Sequence, residues 1–188
     1  MNIAVLTSKG RVIVRPDTTR VKDGEDVYLP EFVNNVEWSP VLYARVAKSG
    51  RSVLPKFAGR YFDSYNLGIL LYPADFIDGS EEGYACASCL DHTSVLNLQF
   101  RDKKEAENSN NKFVISINNN VLYIDNVNII THIESAISEI TKYCWLRVGD
   151  LVAVEIEDRK HLCDRQNAPA EIRFGIDGNE PSAVKIIL

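Results

Sequence analysis

The sequence is short of the groups from which most enzyme sites and charged binding surfaces are made. Its 188 residues hold 3 histidines, 4 cysteines and fewer lysines and arginines (21) than aspartates and glutamates (26), for a formal net charge of -5. Binding to phosphate needs a concentrated basic surface, so this deficit excludes nucleic acid and anionic membrane as partners. The basic clusters present, Arg45-Lys48-Arg51 and Lys103-Lys104, are short, and the second stands beside Asp102 and Glu105 as a solvated loop. Absent too are a Gly-x-x-x-x-Gly-Lys phosphate loop, a Gly-x-Gly-x-x-Gly turn, a Gly-x-Ser-x-Gly elbow and a His-Glu-x-x-His helix. No apolar run approaches the length of a membrane span, the first residues carry no basic leader with a cleavage pattern, and no Asn-x-Ser/Thr acceptor occurs. These absences together predict a soluble, cytoplasmic protein.

What is present is an ordinary globular balance, 45% hydrophobic and 25% charged, in a chain of the size of a single domain spanning residues 1–188. Short β-like runs recur at residues 3–6, 11–14, 41–46, 67–72, 84–90, 113–117, 121–125, 151–156, 172–176 and 184–188. Thr7-Ser8-Lys9-Gly10 and Asn118-Asn119-Asn120 separate two pairs of these runs with residues that tolerate left-handed turns, which predicts two hairpins. One helix is expected: Ile129, Ile130, Ile133, Ala136, Ile137 and Ile140 recur at helical spacing, and Thr131-x-x-Glu134 has the form of a capping box near its start. The charged, asparagine-rich residues 101–112 read as a surface loop, with a lid as the alternative.

Candidate chemistry is sparse. His132 falls on the exposed side of the helix's first turn, His161 follows the charged run 157–160 as a loop residue, and His92 follows Asp91. Four cysteines in a chain this long make no disulfide scaffold, so reduced thiols are expected. Cys86-x-x-Cys89 with His161-x-Cys163 has the donor types of a zinc site. The competing reading makes residues 84–90 a buried strand whose cysteines act as small hydrophobes.

Taken in order, several segments resemble the fumarylacetoacetate hydrolase superfamily. Ser39-Pro40-Val41-Leu42-Tyr43-Ala44-Arg45 is similar to that family's "P-x-x-F-x-K", and Val53-Leu54-Pro55 to "I-x-x-P". Phe62-Asp63-Ser64-Tyr65-Asn66-Leu67 is similar to "H-x-E-x-E-L", and Gly83-Tyr84 with Cys89-Leu90-Asp91-His92-Thr93 to "G-Y … N-D-x-T/S-A-R-D". Ile117-Asn118-Asn119, the helix and Leu146-Arg147-Val148-Gly149-Asp150-Leu151-Val152 resemble the closing "V-N-G", helix, "L-x-P-G-D-x-I". The resemblance covers residues 39–156. It implies an α+β, mostly β fold, a mixed β-sheet roll or sandwich with one main helix, and a homodimer.

The same resemblance implies that three carboxylates hold magnesium or manganese, hard ions that need oxygen ligands, while an oxo-acid is cleaved, decarboxylated or isomerised. Carried over residue by residue, the two glutamates fall on Ser64 and Asn66, and only Asp91, with two inserted residues, keeps a carboxylate. No counterpart of the "G-x-N-Y-x-x-H-x-x-E" lid precedes Pro40, and the "T-G-T-P" substrate loop falls on Ala153-Val154-Glu155-Ile156. Arg45 stands at the substrate-binding lysine, and Arg45 and Lys48 are candidate contacts for a small anionic metabolite. A substitute acidic site from Asp63, Asp91 and Glu155 is conceivable, although Asp63 points to the other face of its strand from Ser64 and Asn66. The expectation is a pseudoenzyme with a degenerate metal site and no cofactor, acting as a binding or structural homodimer. The alternative is a magnesium- or manganese-dependent hydrolase, decarboxylase or isomerase of a small 2-oxo or 1,3-diketo acid.

Overall fold

A computed structural model describes residues 1–107, 112–124, 127–176 and 181–188. Along the chain the strands are β1 (Asn2–Leu6), β2 (Val12–Pro16), β3 (Val27–Tyr28), β4 (Asn35–Val46), β5 (Phe62–Pro73), β6 (Ser94–Val95), β7 (Arg101–Asp102), β8 (Phe113–Ile117), β9 (Asn120–Ile124), β10 (Leu151–Glu155), β11 (Lys160–Asp164), β12 (Ala170–Ile176) and β13 (Ser182–Ile187). The helices are α1 (Pro55–Ala58), α2 (Glu81–Cys89), α3 (Lys103–Glu107) and α4 (Ile129–Ile140). The expected α+β, mostly β architecture is what forms.

One sheet runs β2-β1-β10-β4-β5-β6, with β11 added to β4 and β7 to β5; the other runs β3-β13-β12-β8-β9. Both are mixed, since β1 lies parallel to β10 and β13 parallel to β3. The strands of the second sheet follow the period of two: Ala170, Ile172, Phe174 and Ile176 are buried while Arg173 is exposed. β4 and β5 are instead covered on both faces, so Leu42 and Tyr43, neighbours in sequence, both have no exposed surface. One face joins Leu42, Leu67 and Val152 to α4 and to Phe113, Ile172 and Ile186 of the second sheet. The opposite face gathers Ile3, Val5, Tyr43, Leu70, Tyr72 and Leu96 under Ala87 and Tyr84 of α2.

Both predicted hairpins are present. Thr7 accepts from Gly10 N at 2.8 Å in the β1–β2 turn, where Gly10 has φ +72°. Asn118 and Asn119 turn β8 into β9 with φ 47° and 69°, conformations that asparagine tolerates. Asp125, the end of one predicted run, lies outside the described residues.

Four local readings differ. A strand is expected over 84–90, yet residues 84–89 belong to helix α2 and Leu90 is its extended C-cap. Ser80 caps it by accepting from Gly83 N at 3.0 Å, Glu81 and Glu82 favour the positive end of its dipole, and Tyr84, Ala87 and Ser88 share the covered side at helical spacing. The amphipathic helix α4 forms as read, but its cap is Asn128, which accepts from Thr131 N at 3.0 Å, in place of the Thr131–Glu134 box. Residues 101–107 are strand β7 and helix α3 in place of loop; 108–111 lie outside the described residues. His161 sits in β11, opposite Glu37, because that segment extends the long strand β4.

Candidate functional site

Alternation along β4 and β5 places the predicted site residues on one face. Their pairing gives the rows Arg45–Ser64, Tyr43–Asn66 and Val41–Gly68. Ser64 Oγ donates to Asp63 Oδ1 at 2.9 Å. Asn66 donates from Nδ2 to Gln99 O at 2.6 Å and accepts from Leu67 N at 2.8 Å, so both ends of its amide are engaged.

Asp91 does not join them. It lies exposed in the turn between α2 and β6, and Leu71 N donates to Thr93 O just beyond it. Leu71 is seven residues along β5 from Ser64, roughly 23 Å at the rise of a strand. What lies across from Ser64 and Tyr65 is Asp102 and Arg101. Residues 81–89 form a helix in place of the strand expected at 84–90, and the turn that follows it leaves Asp91 away from the end of β5 that carries Ser64. Asn97 donates from Nδ2 to Ser182 Oγ at 2.6 Å, and its carbonyl accepts from Tyr43 Oη at 2.5 Å.

The space over Gly68, next along the same face, is filled. Tyr43 and Leu96 are completely buried, and the ring of Phe100 meets Tyr43 edge-on at 5.7 Å. Gly68 lies beneath them so closely that a Cβ there would sit 2.5 Å from Leu96 Cδ2 and 2.8 Å from the carbonyl of Val95. Burial pushes the Tyr43 phenol well above its usual range, so it is a neutral donor.

The residues present do not fit a divalent magnesium or manganese ion. Ser64 and Asn66 offer a hydroxyl and an amide, each hydrogen-bonded to a neighbour, where such an ion needs anionic oxygens. The substitute trio also fails to meet: Asp63 and Asp91 are exposed, while Glu155 is buried at the end of β10. Cys86 and Cys89 are exposed on α2, Cys163 is buried in β11 and His161 is exposed, so the zinc reading has no assembled site. Among the described residues no three His, Cys, Asp or Glu side chains converge. Arg45 is exposed beside Ser64, and Lys48 Nζ lies 5.6 Å from the ring of Tyr61.

At the other end of the same face a cavity of about 740 Å³ opens between the β1–β2 turn, the start of α2 and the β10–β11 loop. Glu155 lies at its base, 5% exposed, accepting from Tyr72 Oη at 2.6 Å and from Ser8 N at 3.0 Å. Beside Tyr72 the completely buried Arg15 donates to Thr93 O, Ser94 Oγ and Leu71 O at 2.7–3.0 Å, with its Cζ 4.7 Å from the Tyr72 ring. Burial lowers the pKa of Arg15 and raises those of Tyr72 and Tyr84, so both phenols remain protonated donors. Arg159 lies over the stacked Tyr72 and Tyr84, at 5.2 and 4.8 Å, with Nη1 3.5 Å from Glu37 Oε2. Of this cluster only Glu155 is a candidate site residue from the sequence, with Tyr84 standing in a motif of the resemblance. Arg15 carried a signal: alternation from the inward Ile13 along β2 points it to the same face.

No family model and no curated protein matches the chain in sequence. Its fold does match solved structures. A protein from Yersinia pestis CO92 described as of the fumarylacetoacetate hydrolase family superposes with TM-score 0.83 at 15% identity, over 99% of this chain and 92% of that one. Fumarylpyruvate hydrolase from Pseudomonas aeruginosa, in complex with Mn2+ and pyruvate, gives 0.82 at 14% identity over 100% and 90%. A 2-hydroxyhepta-2,4-diene-1,7-dioate isomerase from Mycobacterium marinum gives 0.80 at 13% identity over 99% and 74%.

Proposed function

The chain has the fumarylacetoacetate hydrolase fold, and from that premise we propose that it has given up the metal-dependent chemistry associated with the fold and acts as a cytoplasmic binding or structural homodimer. The observation that carries this reading is that Ser64 and Asn66, which the resemblance sets at two glutamate positions, are neutral and each hydrogen-bonded to a neighbour. Two further features support it. Tyr43, Leu96 and Phe100 occupy the space above Gly68. Glu155 places a buried carboxylate where the family carries the "T-G-T-P" loop, and a buried carboxylate repels the anionic end of an oxo-acid. In support of the dimer, Leu54, Tyr143, Trp145 and Val148 are exposed on segments joined by the Gly50–Leu146 backbone hydrogen bonds, apolar surface of the kind a second copy covers. Free thiols and the lack, among the described residues, of a helix long and apolar enough to cross a membrane agree with the cellular setting.

The second reading, a divergent oxo-acid hydrolase, decarboxylase or isomerase, is favoured by the activities named for the structural neighbours, one of them solved with Mn2+ and pyruvate. In that reading the exposed Arg45 and Lys48 supply the anion contacts. Thermal unfolding with magnesium or manganese separates the two. A site with Kd about 10 µM stabilises the fold by about 2.7 kcal/mol at about 1 mM metal. The proposal expects no shift from either ion; a shift of that size, accompanied by turnover of an oxo-acid, establishes the second reading instead.

A further inference from the structure

The cavity beside β10 holds two charges of opposite sign whose bonding capacity is incompletely used. Glu155 is buried, yet among the described residues it has no cation within 4 Å: its oxygens accept one bond each, from a phenol and a main-chain N–H. An ionised carboxylate has room for about four such bonds, and the buried Arg15 acts on it only through space, with no ion pair between them. Arg159 Nη1 is buried with no hydrogen-bond acceptor, its nearest carboxylate being Glu37 at 3.5 Å. Tyr72 touches both groups, giving its hydroxyl to Glu155 and its ring to Arg159, so the two charges flank one side chain. At the mouth, Lys9 and Arg11 are exposed and make no ion pair among the described residues. Val12, Ile13, Ile77 and Ala85 line the rest with apolar surface.

We propose that this cavity binds a small zwitterion, a free amino acid with an apolar side chain, its ammonium on Glu155 and its carboxylate on Arg159. An ammonium supplies the donors that Glu155 lacks, and a carboxylate supplies the acceptor that Arg159 lacks, in charge-assisted bonds inside a partly dry cleft. A dicarboxylate is disfavoured because its second anionic end meets Glu155, and a bare amine leaves Arg159 unanswered. This site shares Glu155 with the reading above but neither Ser64 nor Asn66, so a failure to bind an amino acid leaves the outcome of the metal titration unchanged.

Isothermal titration of the full chain with L-leucine tests the proposal, with 4-methylpentanoate and 3-methylbutylamine as analogues lacking the amine and the carboxylate. L-leucine should bind, and each analogue should bind at least about tenfold more weakly, the loss expected when a charge-assisted bond goes unmade. Glu155→Gln and Arg159→Met should each weaken L-leucine by a similar factor; if Glu155→Gln does not fold, Arg159→Met, altered at a partly exposed position, decides alone. No heat from L-leucine or L-phenylalanine up to millimolar concentration overturns the assignment, as does equal binding of 4-methylpentanoate or unchanged binding by the folded variants.

Discussion

Gly68 shows at the level of a single residue how closely this face of the sheet is packed. A methyl group added there meets a main-chain carbonyl as well as Leu96 and Tyr43, and the carbonyl cannot move without β6. Gly68→Ala should destabilise the protein by about 1–3 kcal/mol, the usual cost of overpacking, read as a lower urea midpoint at unchanged slope. Cys163 gives a second test. Burial pushes its thiol up to about 11 from an ordinary value near 9. The unfolded chain therefore loses that proton first, so this group's contribution to stability is intact below pH 9, falls as pH rises from 9 to 11 and levels off above. Exposed Cys86 and Cys89 should accordingly be alkylated by iodoacetamide at pH 8 well before Cys163, as peptide mass spectrometry would show; equal rates would mean that β11 is open. That Ser64 and Asn66 share one face with Arg45 was legible, because no gap separates these segments and strand alternation fixes the face.

Among the elements, α4 was readable because its isoleucines keep one period for twelve residues, long enough to separate a helix from a strand. Its cap was missed by three residues, and that difference is measurable. Asn128→Ala should cost about 1 kcal/mol, whereas Thr131→Ala should cost little, because only the main-chain N–H of Thr131 serves the cap. Comparable losses at both positions in thermal unfolding would restore the Thr131–Glu134 box. Helix α2 was misread for a physical reason: Tyr84 to Cys89 is a short run of small and apolar residues that satisfies either period. The cap at Ser80 and the acidic first turn decided the outcome, and that one error carried Asp91 into a site it does not reach.

At the scale of the molecule, β1 and β10 lie side by side although Ile3 and Leu151, which pair, are 148 positions apart, and their union brings the Thr7–Gly10 turn over Glu155. A homodimer is expected, with a light-scattering mass twice that of the chain at micromolar concentration, and a monomer throughout that range would remove it. Composition and period alone determined that this is a β-rich chain with one amphipathic helix and two asparagine- or glycine-turned hairpins, because those properties depend on neighbours a few residues apart. Only the tertiary structure decided that Asp91 lies in a turn away from Ser64 and Asn66, that Tyr43 and Leu96 close the space over Gly68, and that Arg15, Tyr72, Glu155 and Arg159 meet around one cavity. Those outcomes depend on strand pairing between distant segments, and a shift of pairing moves a side chain by several ångströms without changing a single local pattern.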